Sequence, residues 1–79
     1  MPDTVHAYIL IQTAVNSAHV AQEIRGIEGV DAADDVSGPY DVIVRASAGD
    51  MDTLGKLVVS RIQGVEGITR TLTCPIVLL

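Results

Sequence analysis

The chain has 79 residues, ten acidic against five basic for a formal charge of −5, and is 48% hydrophobic, yet it has no Trp or Phe and only Tyr8 and Tyr40 as aromatics. That length holds one domain, residues 1–79, and a domain this small buries only about 60% of its unfolded surface. Arg25, Arg45, Lys56, Arg61 and Arg70 are scattered, so the basic cluster that displaces phosphate counterions is missing and direct nucleic-acid binding is not expected.

Val5 to Thr13 (VHAYILIQT) is short and rich in β-branched residues, which predicts a strand. Val5, Ala7, Ile9 and Ile11 fall on one face and His6, Tyr8, Leu10 and Gln12 on the other. Asn16 or Ser17 can cap a following helix, in which Val20, Ala21, Ile24 and Ile27 recur at helical spacing while His19, Gln22, Glu23 and Arg25 turn outward. Gly26 and Gly29 bracket its end. Val30 to Val36 (VDAADDV) alternates as a strand, with Val30, Ala32 and Val36 on one side and Asp31 and Asp35 on the other. Ser37-Gly38-Pro39 then turns the chain into a strand over Tyr40 to Ala48. Asp50 caps a second helix with Leu54, Leu57, Val58 and Ile62 as its apolar stripe, and Asp52 can pair with Lys56 one turn on. Ile68 to Leu78 closes the domain as a long strand; Pro75 cannot donate a ladder bond, which puts that end at an edge or bends it away.

An internal repeat runs through these elements. Ile24-Arg-Gly-Ile-Glu-Gly-Val30 matches Ile62-Gln-Gly-Val-Glu-Gly-Ile68, each leaving a helix and entering a strand, and the same offset sets Val20 against Val58. Two strand-helix-strand halves of one design predict a ferredoxin-like α+β fold, β-α-β-β-α-β, with a four-stranded antiparallel sheet and both helices on one face. The other face is then bare. Leaving its aliphatic residues in water costs about 25 cal/mol per Å², so a homodimer packed sheet against sheet is expected.

The chemistry-bearing residues are few. His6 and His19 have no second His or Cys at helical spacing, whereas a transition-metal site needs three or four converging donors. Cys74 is the sole cysteine; with no cation nearby in sequence, it reads as a buried, inert thiol. Asp31, Asp34 and Asp35 do not follow the ligand alternation of a calcium loop. No nucleophile motif, Walker loop or dinucleotide fingerprint is present, so neither catalytic residue, metal nor cofactor is expected. The N-terminal residues carry no signal-peptide pattern and no apolar run approaches the roughly 20 residues that span a bilayer, so a cytoplasmic protein without membrane contact is expected.

Two segments stand apart from the repeat. Ser37-Gly38-Pro39-Tyr40-Asp41 gathers a glycine, an aromatic and a carboxylate at a hairpin, and Ile68-Thr69-Arg70-Thr71-Leu72-Thr73 sets three threonines on one face of the last strand. Gly38-Pro39-Tyr40-Asp41-Val42, Asp50 opening a helix with Leu54, and Gly67-Ile68-Thr69-Arg70-Thr71-Leu72-Thr73 together resemble the effector-binding domain of the Lrp/AsnC transcription regulators, also called the RAM domain (regulation of amino acid metabolism). The resemblance covers essentially the whole chain. It implies a dimer through the sheets, often in a ring of four dimers (an octamer), with an amino acid or similar small effector bound at contacts between dimers. It places the ligand site at Gly38, Tyr40 and Asp41 of the hairpin motif and at Thr69 and Thr71 of the last-strand motif. The chemistry agrees: an amino acid needs an acceptor for its ammonium, such as Asp41, and donors for its carboxylate, while Gly38 lets the main chain approach closely. Family members usually begin with a helix-turn-helix, and no basic recognition helix precedes the first strand here. The expectation is therefore a stand-alone effector module acting in regulation without its own DNA-binding domain, perceiving a metabolite or co-assembling with full-length relatives. Two other readings stay open. One is a cofactor-free enzyme of the dimeric α+β barrel type, monooxygenase- or isomerase-like, for which the chain offers only His6, Tyr8 and Arg45 on strands; the other is an assembly domain with an emptied ligand site.

Overall fold

In the computed structural model, which describes residues 4–14 and 18–77, the chain follows the expected order. Strand β1 is Val5–Thr13, helix α1 Ala18–Arg25, β2 Val30–Asp35, β3 Val42–Ala48, helix α2 residues 51–63, and β4 Ile68–Pro75. The sheet order is β2-β3-β1-β4 with every neighbouring pair antiparallel. The fold is thus the ferredoxin-like α+β arrangement read from the repeat. The cap expected at Asn16 or Ser17, the strand end at Leu78 and the side chain of Leu57 lie outside the described residues.

Alternation decides what β1 and β3 bury. Ala7, Ile9 and Ile11 of β1 and Val42, Val44 and Ala46 of β3 turn inward and pack on Val20, Ala21 and Ile24 of α1 and Leu54, Val58 and Ile62 of α2, all at most 2% exposed. Each large aliphatic side chain so buried contributes about 1.5–3 kcal/mol. The register sets Ile9 opposite Val44 and Ile11 opposite Val42, so the inward residues meet in cross-strand rows.

The repeat is visible in three dimensions. Gly26 N–H donates to Glu23 O and Ile27 N–H to Ile24 O as α1 ends; Gly64 N–H to Arg61 O and Val65 N–H to Ile62 O end α2 in the same way. Gly29 and Gly67 follow with φ of +99° and +105°, a backbone that favours glycine. Each presses on the other half's helix: an ideal Cβ on Gly29 would lie 2.7 Å from Val58 Cγ2, and one on Gly67 3.5 Å from Val20 Cγ2. Val20 and Val58 are themselves repeat partners, so the two halves clasp each other reciprocally.

Helix α2 is less regular than its stripe suggests. Asp50 caps it as expected, Oδ1 accepting from Thr53 N–H at 2.7 Å. That bond is the first reason the Asp50 carboxyl is held below its ordinary value. Lys56 Nζ stands 3.2 Å from Asp52 Oδ2. Between the α-helical ends Met51–Thr53 and Ser60–Gln63, however, Leu54–Val59 winds as a wider π-helix.

Four expectations need correction. In β2 the register shifts between Val30 and Ala32, a bulge at Asp31. The extra residue moves the alternation by one, so Ala33 is buried while Ala32 and Val36 are exposed. Strand β3 starts at Val42, not Tyr40, because Tyr40 and Asp41 belong to the turn. Strand β4 ends at Pro75, although Ile76 N–H still donates to His6 O at 2.9 Å. A second bulge between Gln12 and Thr13 pairs Gln12 with Arg70 and Thr13 with Ile68. Thr69 is skipped, so only Thr71 and Thr73, opposite Ile11 and Ile9, share the helix side.

Candidate functional site

The β2–β3 turn is strapped to the end of β1. Val36 N–H donates to Asp41 O at 2.9 Å and closes the turn, and Asp41 N–H donates to Ile11 O at 2.8 Å. One step further, where the β1–β3 ladder has run out, Asp41 Oδ2 accepts Thr13 N–H at 2.8 Å. A short carboxylate at the turn thus replaces the next backbone acceptor. Gln12 Nε2 adds a bond to Pro39 O at 2.9 Å. Gly38 has φ +149° with nothing within 4 Å of an ideal Cβ. Its glycine character serves the backbone conformation, and the space before it is open. Tyr40 and Asp41 are half-buried. Among the described residues the Tyr40 hydroxyl and Asp41 Oδ1 have no hydrogen-bond partner.

The last strand reaches the same end of the sheet. Thr69 Oγ1 donates to Gln12 O at 3.2 Å, and Gln63 Nε2 donates to Thr71 Oγ1 at 3.1 Å. Gln63, Thr69, Arg70 and Thr71 line a shallow groove of about 220 Å³. The five residues singled out from the sequence therefore gather at one end of the domain in two groups. Gly38, Tyr40 and Asp41 lie on one side of β1, and Thr69 and Thr71 on the other, since Ile11 sits between Val42 and Thr71. Strands two places apart are about 10 Å apart.

Gln12 and Gln63 escaped the sequence reading, and they hold the site together: Gln12 touches both groups, and Gln63 fixes Thr71. A signal for Gln63 was present. It is the repeat partner of Arg25, and Arg25 Nε donates to Ala33 O at 2.9 Å, eight residues on. Gln63 reaches Thr71 across the same eight residues. Nothing marked Gln12 beyond its polarity at the end of an apolar strand.

The helix-free face of the sheet is more mixed than its expected aliphatic character. The register draws rows across it: Ile43, Leu10 and Leu72, then Arg45, Tyr8 and Cys74, then Ser47 and His6. Arg45 Nη1 donates to the Tyr8 hydroxyl at 3.0 Å, and its guanidinium stands 5.6 Å from that ring's centroid. Tyr8 and Leu72 are 42% and 43% exposed, so an apolar patch faces outward. His6 Nδ1 is buried with no hydrogen-bond partner among the described residues. His6, Tyr8 and Arg45, the side chains open to the enzyme reading, all lie on this face and line no cleft between sheet and helices. Among the described residues no three His, Cys, Asp or Glu side chains converge as metal donors, and no helix is long and apolar enough to cross a membrane.

Known proteins bear on this arrangement. The Lrp/AsnC ligand binding domain family matches residues 6–77. The chain is 27% identical over 71 residues to the uncharacterized HTH-type transcriptional regulator PF0250 of Pyrococcus furiosus, a match covering 85% of this chain and 47% of that protein. It is 34% identical over 74 residues to a homocitrate synthase of Sulfolobus acidocaldarius, covering 91% of this chain but only 16% of the enzyme. The chain thus spans about half the length of the regulator and a small part of the enzyme. Among solved structures it superposes on TTHA0845 of Thermus thermophilus with a TM-score of 0.86 at 26% identity, covering 95% of each chain. With this fold, and with the hairpin and last-strand motifs joined at one end of the sheet, the chain belongs to the family of Lrp/AsnC ligand-binding domains.

Proposed function

We propose that this domain binds a free amino acid at the end of the sheet where Gly38, Tyr40, Asp41, Thr69 and Thr71 gather, and that occupancy regulates a larger assembly. The observation that carries the reading is the half-used carboxylate of Asp41. Its Oδ2 is fixed by Thr13 N–H, which aims the residue, while Oδ1 remains to accept from an ammonium beside the open space at Gly38. Arg70, on the wall of the neighbouring groove, supplies a guanidinium for the carboxylate. The role is binding without catalysis, consistent with a regulatory family.

The domain works as a homodimer closed through the helix-free face. Covering the Ile43–Leu10–Leu72 row removes apolar surface from water, and a partner offers His6 Nδ1 the hydrogen bond it lacks. Further assembly of dimers into an octamer, or with full-length relatives that carry DNA-binding domains, places the hairpin ends at contacts between dimers. A second reading is favoured by the homocitrate synthase match: the same module conveys effector occupancy to an enzyme instead of a DNA-binding partner. Co-purification separates the two, since a regulator recovered with this chain supports the first and a biosynthetic enzyme the second.

The test of binding is a thermal-shift screen across the amino acids with the wild-type chain and Asp41→Asn. Asparagine keeps the acceptor for Thr13 N–H and removes the charge. A ligand at ten times its Kd adds RT ln 11, about 1.4 kcal/mol, or roughly 6–11 °C for a domain of this size. The shift should disappear in Asp41→Asn. An undiminished shift in that variant removes Asp41 from the site, and no shift with any amino acid overturns the reading.

A further inference from the structure

The sheet has two edge strands, β2 and β4, and the ladder fixes which backbone groups each turns outward. Antiparallel neighbours alternate between pairs that exchange hydrogen bonds and pairs that do not. Ile76 N–H donates to His6 O, so in the same register Cys74, Leu72 and Arg70 bond to Tyr8, Leu10 and Gln12. The amides and carbonyls of Thr71 and Thr73 therefore face away from β1. On β2, Val36 N–H donates to Asp41 O, so Asp34 bonds to Ile43, and Ala33 and Asp35 face outward.

Only one of these edges is guarded. An exposed edge invites another strand, and proteins blunt it with charges, bulges or a covering side chain. Strand β2 has all three: Asp31, Asp34 and Asp35 are exposed along it, the bulge at Asp31 bends it, and Arg25 Nε donates to the outward Ala33 O at 2.9 Å. Gln63, the repeat partner of Arg25, gives β4 no such cover, because it bonds the Thr71 hydroxyl. Among the described residues nothing bonds the outward backbone of Thr71 or Thr73. The bulge beside β4 lies at Thr69, before this stretch, and Ile68–Pro75 holds no acidic residue. Pro75 also faces outward, so its missing N–H costs no ladder bond.

What fits this edge is a copy of itself. With two β4 strands antiparallel about Leu72, Thr71 meets the partner's Thr73 and the pair exchanges both hydrogen bonds. Every outward donor between Arg70 and Cys74 is then used, and threonines facing across strands pair favourably. Leu72, 43% exposed, meets its own copy. Arg70 lies opposite the partner's Cys74, which keeps the two guanidiniums at opposite ends of the pairing. Other registers fit worse. Centring on Thr73 sets Thr71 against the partner's Pro75, which has no N–H to give. Centring on Thr71 brings the two Arg70 side chains closer and sets Thr73 against the bulge at Thr69. Charge selects the same edge: two copies of net charge −5 repel each other, and least along the edge strand without an acid.

We infer that the Thr71–Thr73 edge of β4 joins copies of this chain by antiparallel strand pairing about Leu72. The inference rests on the face-closed homodimer proposed above. One short ladder buries less than the roughly 1,000 Å² of a lasting contact, so the edge joins dimers, each of which presents it twice. Amide hydrogen exchange of the assembled full chain, quenched and read residue by residue by NMR, tests it together with sedimentation equilibrium. Thr71 and Thr73 should exchange about a hundredfold or more below their intrinsic rates, as slowly as Leu72 and Cys74, while Asp35 on the other edge exchanges freely. Thr73→Pro removes one outward N–H and no bond to β1, so Thr71 should lose its protection and the mass should fall to that of a dimer. A wild-type dimer whose Thr71 and Thr73 exchange as freely as Asp35 overturns this inference alone. So does a Thr73→Pro variant with the wild-type mass, or protection of Asp35 alongside Thr71 and Thr73, which would pair β4 with β2 of the next copy. A monomeric wild type removes the face-closed dimer and this inference with it.

Discussion

Replacing Gly29 with alanine strikes the clasp between the two halves. At φ +99° a non-glycine residue carries strain of about 1–3 kcal/mol. The new Cβ would also lie 2.7 Å from Val58 Cγ2 and 3.3 Å from the Ser47 carbonyl oxygen. Overpacking of that kind costs about 1–3 kcal/mol more, while the stiffer unfolded chain returns about 0.4–1 kcal/mol. The net loss is roughly 2–5 kcal/mol, a large share of the roughly 4–12 kcal/mol that holds a domain of this length together. Gly38→Ala and Gly67→Ala are the controls. Both positions have positive φ, but Gly38 has nothing within 4 Å and Gly67 meets its neighbours at 3.5 Å or more, so each should suffer strain without the clash. Urea denaturation followed by far-UV circular dichroism suits a chain without Trp, with protein concentration held fixed because association adds to stability. Trimming the neighbour should relieve part of the damage, so Gly29→Ala with Val58→Ala should cost less than the sum of the two by about 0.5–3 kcal/mol. If Gly29→Ala costs no more than Gly38→Ala, or the double variant is additive, the close approach at Gly29 is not what the residue is for.

Two further perturbations probe other parts of the account. The Asp50 carboxyl is held below its ordinary 3.8 first by the Thr53 backbone N–H; a depressed folded value contributes stability that is present above 3.8 and lost as pH falls through the lower folded value. Asp50→Asn keeps a capping acceptor without the titration, so its urea midpoint should fall less steeply with acid, and parallel profiles would contradict the role given to the cap. Leu10→Glu sets a charge in the middle of the Ile43–Leu10–Leu72 row, where covering each large side chain is worth about 1.5–3 kcal/mol. Sedimentation equilibrium should find the wild type dimeric or larger and the variant monomeric but folded; a variant that associates like the wild type moves the interface elsewhere.

The parts of the molecule legible in the sequence are those governed by period. Strand β1 was readable to the residue because apolar alternation persists across its whole length. Both helices were readable from stripes that end in the same Gly-x-Glu-Gly run. That run carried the topology, and with it the clasp of Gly29 on Val58 and Gly67 on Val20. What escaped were departures from period. A bulge adds one residue and leaves no mark in composition, so Ala32 and Ala33 exchanged faces in β2 and Thr69 fell out of step with Thr71. The π-helical stretch was hidden because Leu54, Val58 and Ile62 keep an acceptable helical spacing around it. At the site, Gly38, Tyr40, Asp41, Thr69 and Thr71 were singled out by resemblance, and the fold does bring them to one end of the sheet. The polar bonds that assemble that end run through Gln12 and Gln63. Residue spacing does not announce a side chain that bridges two segments distant in sequence. Nor did it announce that Asp41 holds the end of β1 through Thr13 N–H, which is why asparagine tests its charge more cleanly than alanine.

The central claim is that the hairpin end of the sheet binds an amino acid through the charge of Asp41. Isothermal titration calorimetry of the wild-type chain and Asp41→Asn, with the amino acid that gives the largest thermal shift, tests it most directly. Saturable heat in the wild type that is lost in Asp41→Asn, while the variant keeps the wild-type circular dichroism spectrum and oligomeric state, is the predicted result. Equal binding by both proteins, or no heat from any of the amino acids, would contradict it.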